Sequence, residues 1–71
     1  MEIIVKMRFN ASKQSLENFG RDKYLAYLPF PEDEDSKNII ISLLSRQIGV
    51  PPSKITFKGL NYNKDWVFQV F

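Results

Sequence analysis

The feature that most constrains the fold is an apolar stripe with helical spacing in the middle of the chain. It predicts an amphipathic helix over residues 36–48 whose stripe lies against a core. Gly49 is the expected first residue beyond the helix, and Pro51 prevents the helix from continuing. Residues 39–41 are three isoleucines, which would also suit a strand, so an extended alternative stays open at this point. The stripe consists of Ile40, Leu43, Leu44 and Ile48.

The start of this helix is preceded by an uninterrupted acidic run, residues 32–35. Negative charge is favourable near a helix N-terminus, and Arg46 suits the opposite end of the helix dipole. Asp35 or Ser36 is the expected cap. Clustered carboxylates could alternatively hold Mg²⁺ or Ca²⁺, but the run lacks the spacing of an EF-hand loop. A solvated loop is the favoured interpretation, and no metal site is predicted.

Other segments alternate between apolar and polar residues, which is typical of half-buried strands. With the helix, they predict the order β-β-α-β-β and an α/β fold, more strictly α+β: two layers, a four-stranded mixed sheet with one helix on one face. The helix is expected to be a crossover between the second and third strands, right-handed if those strands are parallel neighbours. The connection 10–22 is expected to be a loop that Leu16 and Phe19 pin to the core, and 59–65 a hairpin loop. The predicted strands are 2–9, 23–28, 55–58 and 66–71.

The chain has 71 residues, the length of one domain, so 1–71 is expected to be a single domain. It contains no cysteine and no histidine, which excludes disulfides and Cys/His zinc sites. The same absence removes the commonest general base and the strongest nucleophile from catalysis. Accordingly, no catalytic residue and no cofactor is predicted.

The expected compartment is the cytoplasm. Lys6 and Arg8 interrupt the first apolar run, so it does not fit the apolar core of a signal peptide. No stretch approaches the roughly 20 apolar residues that a membrane span needs. We therefore expect no membrane partner.

The stretch from Ile40 to Phe57 contains a segment that resembles the helix and turn of the YggU-like family of small uncharacterised proteins. The family pattern is an apolar helix that ends in Leu-Gly-Val-Pro, followed by a serine and a strand. Here Gly49-Val50-Pro51 and Ser53 stand in the corresponding places. The resemblance implies two strands, a loop, a helix and two strands in a mixed sheet. It also implies that a site would lie in the polar loops before the helix and between the last strands.

Basic residues flank the last predicted hairpin, with an aromatic residue and an amide between them. Such interleaving suits single-stranded nucleic acid, whose phosphates pair with cations and whose bases stack on aromatic rings. The uncovered face of the sheet, where Lys6, Arg8, Tyr27 and Gln69 are expected, would extend this surface. The ordinary alternative is that lysines keep edge strands soluble and tyrosines half-bury on sheets. The candidate binding residues are Lys37, Lys54, Lys58, Tyr62, Asn63 and Lys64.

These observations favour a small non-catalytic binding or interaction module that contacts another protein. The alternative is weak RNA or single-stranded nucleic-acid binding through the uncovered sheet face and the last hairpin, although a net charge of +2 is a small basic excess. A small enzyme of unknown reaction ranks third. The exposed aromatic edge strand at 66–71 is compatible with a monomer or a weak dimer. Trp66 is expected in the core or at its rim.

Overall fold

The alternating segment at the start of the chain forms the central strand of the sheet in the computed structural model, which describes residues 1–71. Ile3 and Val5 are fully buried, while Glu2 and Arg8 on the same strand are exposed. The period of two therefore places one face of this strand against the core, as predicted. The elements are β1 (Glu2–Arg8), β2 (Ser15–Gly20), β3 (Lys23–Tyr27), α1 (Ser36–Ile48), a 3₁₀ turn (Pro52–Lys54), β4 (Ile55–Leu60) and β5 (Trp66–Val70).

The sheet has five strands rather than the four predicted, in the order β2-β3-β1-β5-β4. β1 pairs in parallel with β3 and antiparallel with β5. The two outer pairs, β2 with β3 and β5 with β4, are antiparallel. The fold is therefore α+β, with one helix and a mixed sheet, and the chain order is β-β-β-α-β-β rather than β-β-α-β-β.

The additional strand, β2, lies within residues 10–22, where the sequence predicts a loop. Leu16 points inward opposite Ala26 of β3 and packs against the core. Phe19 is 50% exposed, so the prediction that it pins this segment to the core is wrong. An edge strand is held by backbone hydrogen bonds to a single neighbour. It therefore needs few buried side chains, and most of the alternating signal on which the prediction depended is missing here.

The helix connects β3 to β4, which are parallel but not neighbours, because β1 and β5 lie between them. The parallel neighbours considered for this crossover are therefore not formed. The reason is burial: Trp66, Phe68 and Val70 of β5 are all buried, whereas alternate residues of β4 are exposed. The more apolar strand of the hairpin, β5, takes the inner position against β1, and β4 is left at the edge. The prediction that 66–71 is an exposed edge strand is therefore wrong.

The helix spans residues 36–48, as the stripe predicts, and the three isoleucines are helical rather than extended. Ile40 and Leu44, on the side of the helix that faces the sheet, are fully buried. Gly49 follows with a φ of 75°, and its N–H donates to the carbonyl of Ser45 at 2.9 Å. A left-handed residue of this kind ends a helix, and glycine adopts that conformation without steric cost.

Asp35 occupies the N-cap position, one of the two predicted, but the side-chain hydrogen bonds at the helix start involve Asp33 instead. Asp35 has helical backbone angles and its side chain makes no capping hydrogen bond. Its N–H donates to Oδ1 of Asp33 at 2.9 Å. The buried Ser36 hydroxyl accepts the N–H of Asp33 at 3.0 Å. Ser36 thus contributes one half of a reciprocal capping box that begins earlier than expected, because residues 34–35 already form a turn.

The last hairpin differs in detail from the predicted one. β4 continues past Lys58 to Leu60, and a register shift between Phe57 and Gly59 marks a bulge. Gly59 has a φ of 133°, which favours glycine, so the bulge lies where the chain has one. The hairpin loop is consequently the short segment 61–65, and Asp65 at its end pairs with Lys6 of β1.

One hydrophobic cluster holds the helix on the sheet, and Trp66, 5% exposed, belongs to it as predicted. Its aromatic members gather towards one end of the sheet, where Phe9 and Phe57 pack against them. The buried cluster consists of Ile3, Val5, Tyr24, Ala26, Leu28, Ile40, Leu44, Ile55, Trp66, Phe68 and Val70.

Candidate functional site

The largest cavity is an open groove of about 580 Å³ at one end of the sheet. It lies where β1 ends, where the 61–65 loop returns the chain to β5 and where α1 begins. Each of these places contributes a cation: Arg8, Lys64 and Lys37, respectively. A cavity of this size with a few convergent polar groups is the usual form of a ligand site. We refer to it as the groove.

The floor of the groove is aromatic. The ring centroids of Phe9 and Trp66 are 6.1 Å apart, and those of Phe57 and Trp66 are 5.4 Å apart in an edge-on arrangement. The core holds the indole in place, whereas Phe9 and Phe57 are partly exposed. Leu60 is 59% exposed and extends the apolar lining outward. Such a floor can bury the flat or aliphatic part of a ligand.

Lys37 is held above this floor. Its Nζ lies 4.6 Å from the ring centroid of Phe57, which is a cation–π contact. Neither of the two ion pairs in the structure involves Lys37. The helix start and the ring together therefore place a positive charge in the groove, with no carboxylate within ion-pair distance of it.

Lys64 enters the groove from a loop with unusual backbone geometry. Its φ is 65°, and a left-handed conformation costs a residue with a side chain roughly 1–2 kcal/mol. Asn61 maintains this geometry, because its Oδ1 accepts the N–H groups of Asn63 and Asp65, each at 3.0 Å. The N–H of Lys64 donates to the carbonyl of Asn61 at 2.9 Å. A strained residue in a well-defined loop is a reason to suspect a function for its side chain.

Two carboxylates also line the groove, Glu32 and Asp65. Oδ2 of Asp65 lies 3.4 Å from Nζ of Lys6, and the Asp65 side chain is only 13% exposed. This pair neutralises Asp65. The remaining lining charges are the cations of Arg8, Lys37 and Lys64 against the single carboxylate of Glu32. The groove is therefore net positive, which favours an anionic ligand.

The structure brings together part of the predicted set of binding residues. Lys37, Asn63 and Lys64 line the groove. Tyr62 lies in the turn of the same loop and is 95% exposed, beside the groove rather than in its lining. Lys58 lies on the uncovered face of the sheet, and Lys54 precedes β4 at the far end of the hairpin.

The uncovered face of the sheet carries lysines that already have partners. Lys6 pairs with Asp65, and Lys58 pairs with Glu2. The Lys58 ammonium, by hydrogen bonding and by its charge, lowers the pKa of the exposed Glu2 carboxyl below its ordinary value. These counter-ions reduce the attraction of this face for phosphate. The strand register places Lys6, Arg8, Tyr27 and Gln69 on this face, as predicted. Arg8 is the last residue of β1, so at this end of the sheet it also borders the groove.

The acidic run 32–35 does not converge on one point. No group of three or more acidic side chains lies close enough together to hold a metal ion. Asp33 serves the cap of α1, while Glu32 faces the groove. The run therefore places negative charge beside the groove at the helix start.

Sequence reasoning missed most of the lining. It assigned Arg8 to the uncovered face and Phe9 to the core, with no reason to connect either of them with Lys64. The connection depends on β5 lying against β1, where Val5 is opposite Trp66. One signal was available: the asparagines on both sides of Tyr62 are turn formers and indicate a tight loop.

No family model, no curated protein and no solved structure matches this chain. The resemblance to the YggU-like family stays a prediction, and the groove is interpreted from its own geometry. The helix lacks the length and apolar character that crossing a membrane requires.

Proposed function

We propose that this protein is a small non-catalytic binding module whose ligand presents an anionic group to the groove. The observation that carries the proposal is the convergence of Arg8, Lys37 and Lys64, from three separate elements, on one aromatic-floored cavity. Two of these cations, Lys37 and Lys64, belong to the residues that the sequence singled out.

Two of the three groove cations extend from defined positions before any ligand arrives. Lys37 lies over Phe57, and Lys64 projects from a loop that Asn61 holds by hydrogen bonds. Binding then requires less ordering of side chains, which leaves more of the interaction energy for affinity.

The chemistry of the lining supports binding rather than reaction. It contains no hydroxyl, thiol or imidazole group that could act as a nucleophile or as a general base near neutral pH. Of its two carboxylates, Asp65 is occupied by Lys6. The other side chains of the lining can attract, orient and partly bury a ligand.

A charge-reversal pair tests the proposal. Lys37→Glu and Lys54→Glu change the net charge equally, but only Lys37 lies in the groove. Each ¹⁵N-labelled protein is titrated with sodium pyrophosphate at low salt, and amide shifts are followed by NMR. We expect wild-type shifts to cluster at residues of the groove, with affinity reduced at least about tenfold in Lys37→Glu, because a hydrogen bond to a charged group is lost.

Lys54→Glu is the matched control and should bind nearly as the wild type does. Urea unfolding followed by the fluorescence of Trp66 checks that both variants are folded. Equal losses in the two variants would mean that pyrophosphate senses only net charge. Shifts scattered over the whole surface, or none at all, would contradict the assignment of the groove.

A further inference from the structure

We infer that the ligand of the groove is single-stranded nucleic acid, with its phosphates at the groove cations and a base stacked on Tyr62. This inference rests on the proposed function and names its ligand class. It moves the nucleic-acid surface from the uncovered sheet face to the groove and the 61–65 loop.

The first argument is the exposure of Tyr62. This residue is 95% exposed, so its ring contributes almost nothing to the core. The loop that carries it is nevertheless well defined, because Asn61 binds the backbone N–H groups of Asn63 and Asp65. A solvent-exposed aromatic ring on a rigid turn is a stacking platform, and every base offers a flat face to it.

The position of the cations is the second argument. Lys64 is close to Tyr62 in the same loop, while Arg8 and Lys37 stand on other sides of the groove. Single-strand sites combine a basic groove that follows the backbone with aromatic rings for the bases. Here one nucleotide can enter the groove against Leu60 and the aromatic floor while its neighbour stacks outside.

The acidic run 32–35 restricts the path of the bound nucleic-acid strand. Its charges begin at Glu32 in the lining and continue at the helix start, where they repel phosphate. The nucleic-acid strand must therefore leave the groove past Tyr62 rather than along the helix. Glu32 itself can accept hydrogen bonds from an amino group of a base or from a ribose hydroxyl. We expect a short site of a few nucleotides.

An acidic protein segment satisfies the cations equally well, but it leaves Tyr62 without a role. A free nucleotide fills the groove or stacks on Tyr62, but it does not do both. The exposed ring next to the groove is therefore what favours a strand over these two ligands.

The test compares three probes: the RNA pentamer (rA)₅, adenosine 5′-monophosphate and pentaglutamate. Binding is followed by NMR shifts and, for fluorescein-labelled (rA)₅, by anisotropy. We expect (rA)₅ to bind at least about tenfold more tightly than the mononucleotide, with shifts at the groove and the 61–65 loop. Tyr62→Ala should weaken (rA)₅ binding roughly 5- to 150-fold, the range for loss of one stacked base, while Tyr62→Phe should retain it.

The salt dependence provides a second readout. Three phosphate contacts on a single strand predict a slope of log K against log salt of about −2. Lys64→Gly should make this slope shallower by about 0.7, whereas Lys54→Ala, on the far side of the hairpin, should leave it unchanged. A merely structural role for Lys64 would not move the slope.

Several results would overturn the inference. Mononucleotide binding as tight as (rA)₅ binding, with no effect of Tyr62→Ala, would make the ligand a free nucleotide. Groove shifts with pentaglutamate alone would make it an acidic protein segment. In either case the proposed function would stand. Shifts by (rA)₅ on the uncovered sheet face alone would place nucleic acid elsewhere. If none of the three probes moved the groove resonances while pyrophosphate did, the inference would fail and the proposed function would stand. If pyrophosphate did not move them either, both would fail.

Discussion

Replacing Lys64 with glycine is expected to stabilise the protein while weakening its binding. Lys64 has a φ of 65°, a conformation that costs a residue with a side chain roughly 1–2 kcal/mol and that glycine adopts freely. The hydrogen bonds of the loop come from the Asn61 side chain and from backbone groups, so glycine retains all of them. Lys64 takes part in neither ion pair, and none is lost.

The magnitude follows from two opposing terms. Relief of the left-handed strain gains about 1–2 kcal/mol. The greater freedom of glycine in the unfolded chain takes back about 0.4–1 kcal/mol. The net expectation is an increase of about 0.5–1 kcal/mol in the free energy of unfolding. For a domain of 71 residues this raises the melting temperature by about 2–8 °C.

The assay is urea unfolding followed by the fluorescence of Trp66, which is 5% exposed in the folded protein. Asn61→Ala is the opposing control, since it removes the acceptor of two backbone N–H groups and should destabilise by about 1–2 kcal/mol. A loss of stability in Lys64→Gly would refute the strain argument. A gain in stability with unchanged binding would mean that Lys64 has no part in the groove.

Three further predictions concern the core, the cap and a surface pair. Leu44→Ala, at a fully buried position, should cost about 2–5 kcal/mol in urea unfolding; a cost below 1 kcal/mol would show that the helix is not packed as described. Asp33→Ala should cost about 1 kcal/mol and Asp35→Ala less than about 0.5 kcal/mol; equal costs would contradict the assigned cap. The pKa of Glu2 is lowered in the folded protein by Lys58, so the pair stabilises above the ordinary glutamate pKa and loses this effect as the pH falls through the lowered value. Lys58→Met should raise that pKa towards its ordinary value in an NMR titration, and an unchanged pKa would refute the pairing.

The candidate site was only partly predictable. Asn63 and Lys64 could be singled out because they lie in a polar segment between two strands, and Lys37 because it lies in the first turn of the predicted helix. Arg8 and Phe57 lie in strands, where local patterning assigns each residue to a sheet face and says nothing about what meets it across the sheet. Tyr62 was recognised as a candidate, but its 95% exposure, on which the stacking argument depends, is visible only in the folded loop.

What the sequence by itself determined is the local structure that carries its own periodicity. The stripe that includes Ile40 and Leu44 specified the helix over 36–48, and Gly49 specified its end, because these signals act between residues a few positions apart. Alternation likewise specified β1, β3 and β5, since one face of each is buried.

Only the tertiary structure decided the order of the strands, the existence of β2 and the groove. Strand order depends on which pairs bury the most apolar surface together, and that comparison involves residues far apart in the chain. β2 is held by backbone pairing to β3, which leaves little trace in side-chain pattern. The groove exists because β5 lies against β1 at the end of the sheet where the helix begins. Its lining there includes Arg8, Lys37 and Lys64.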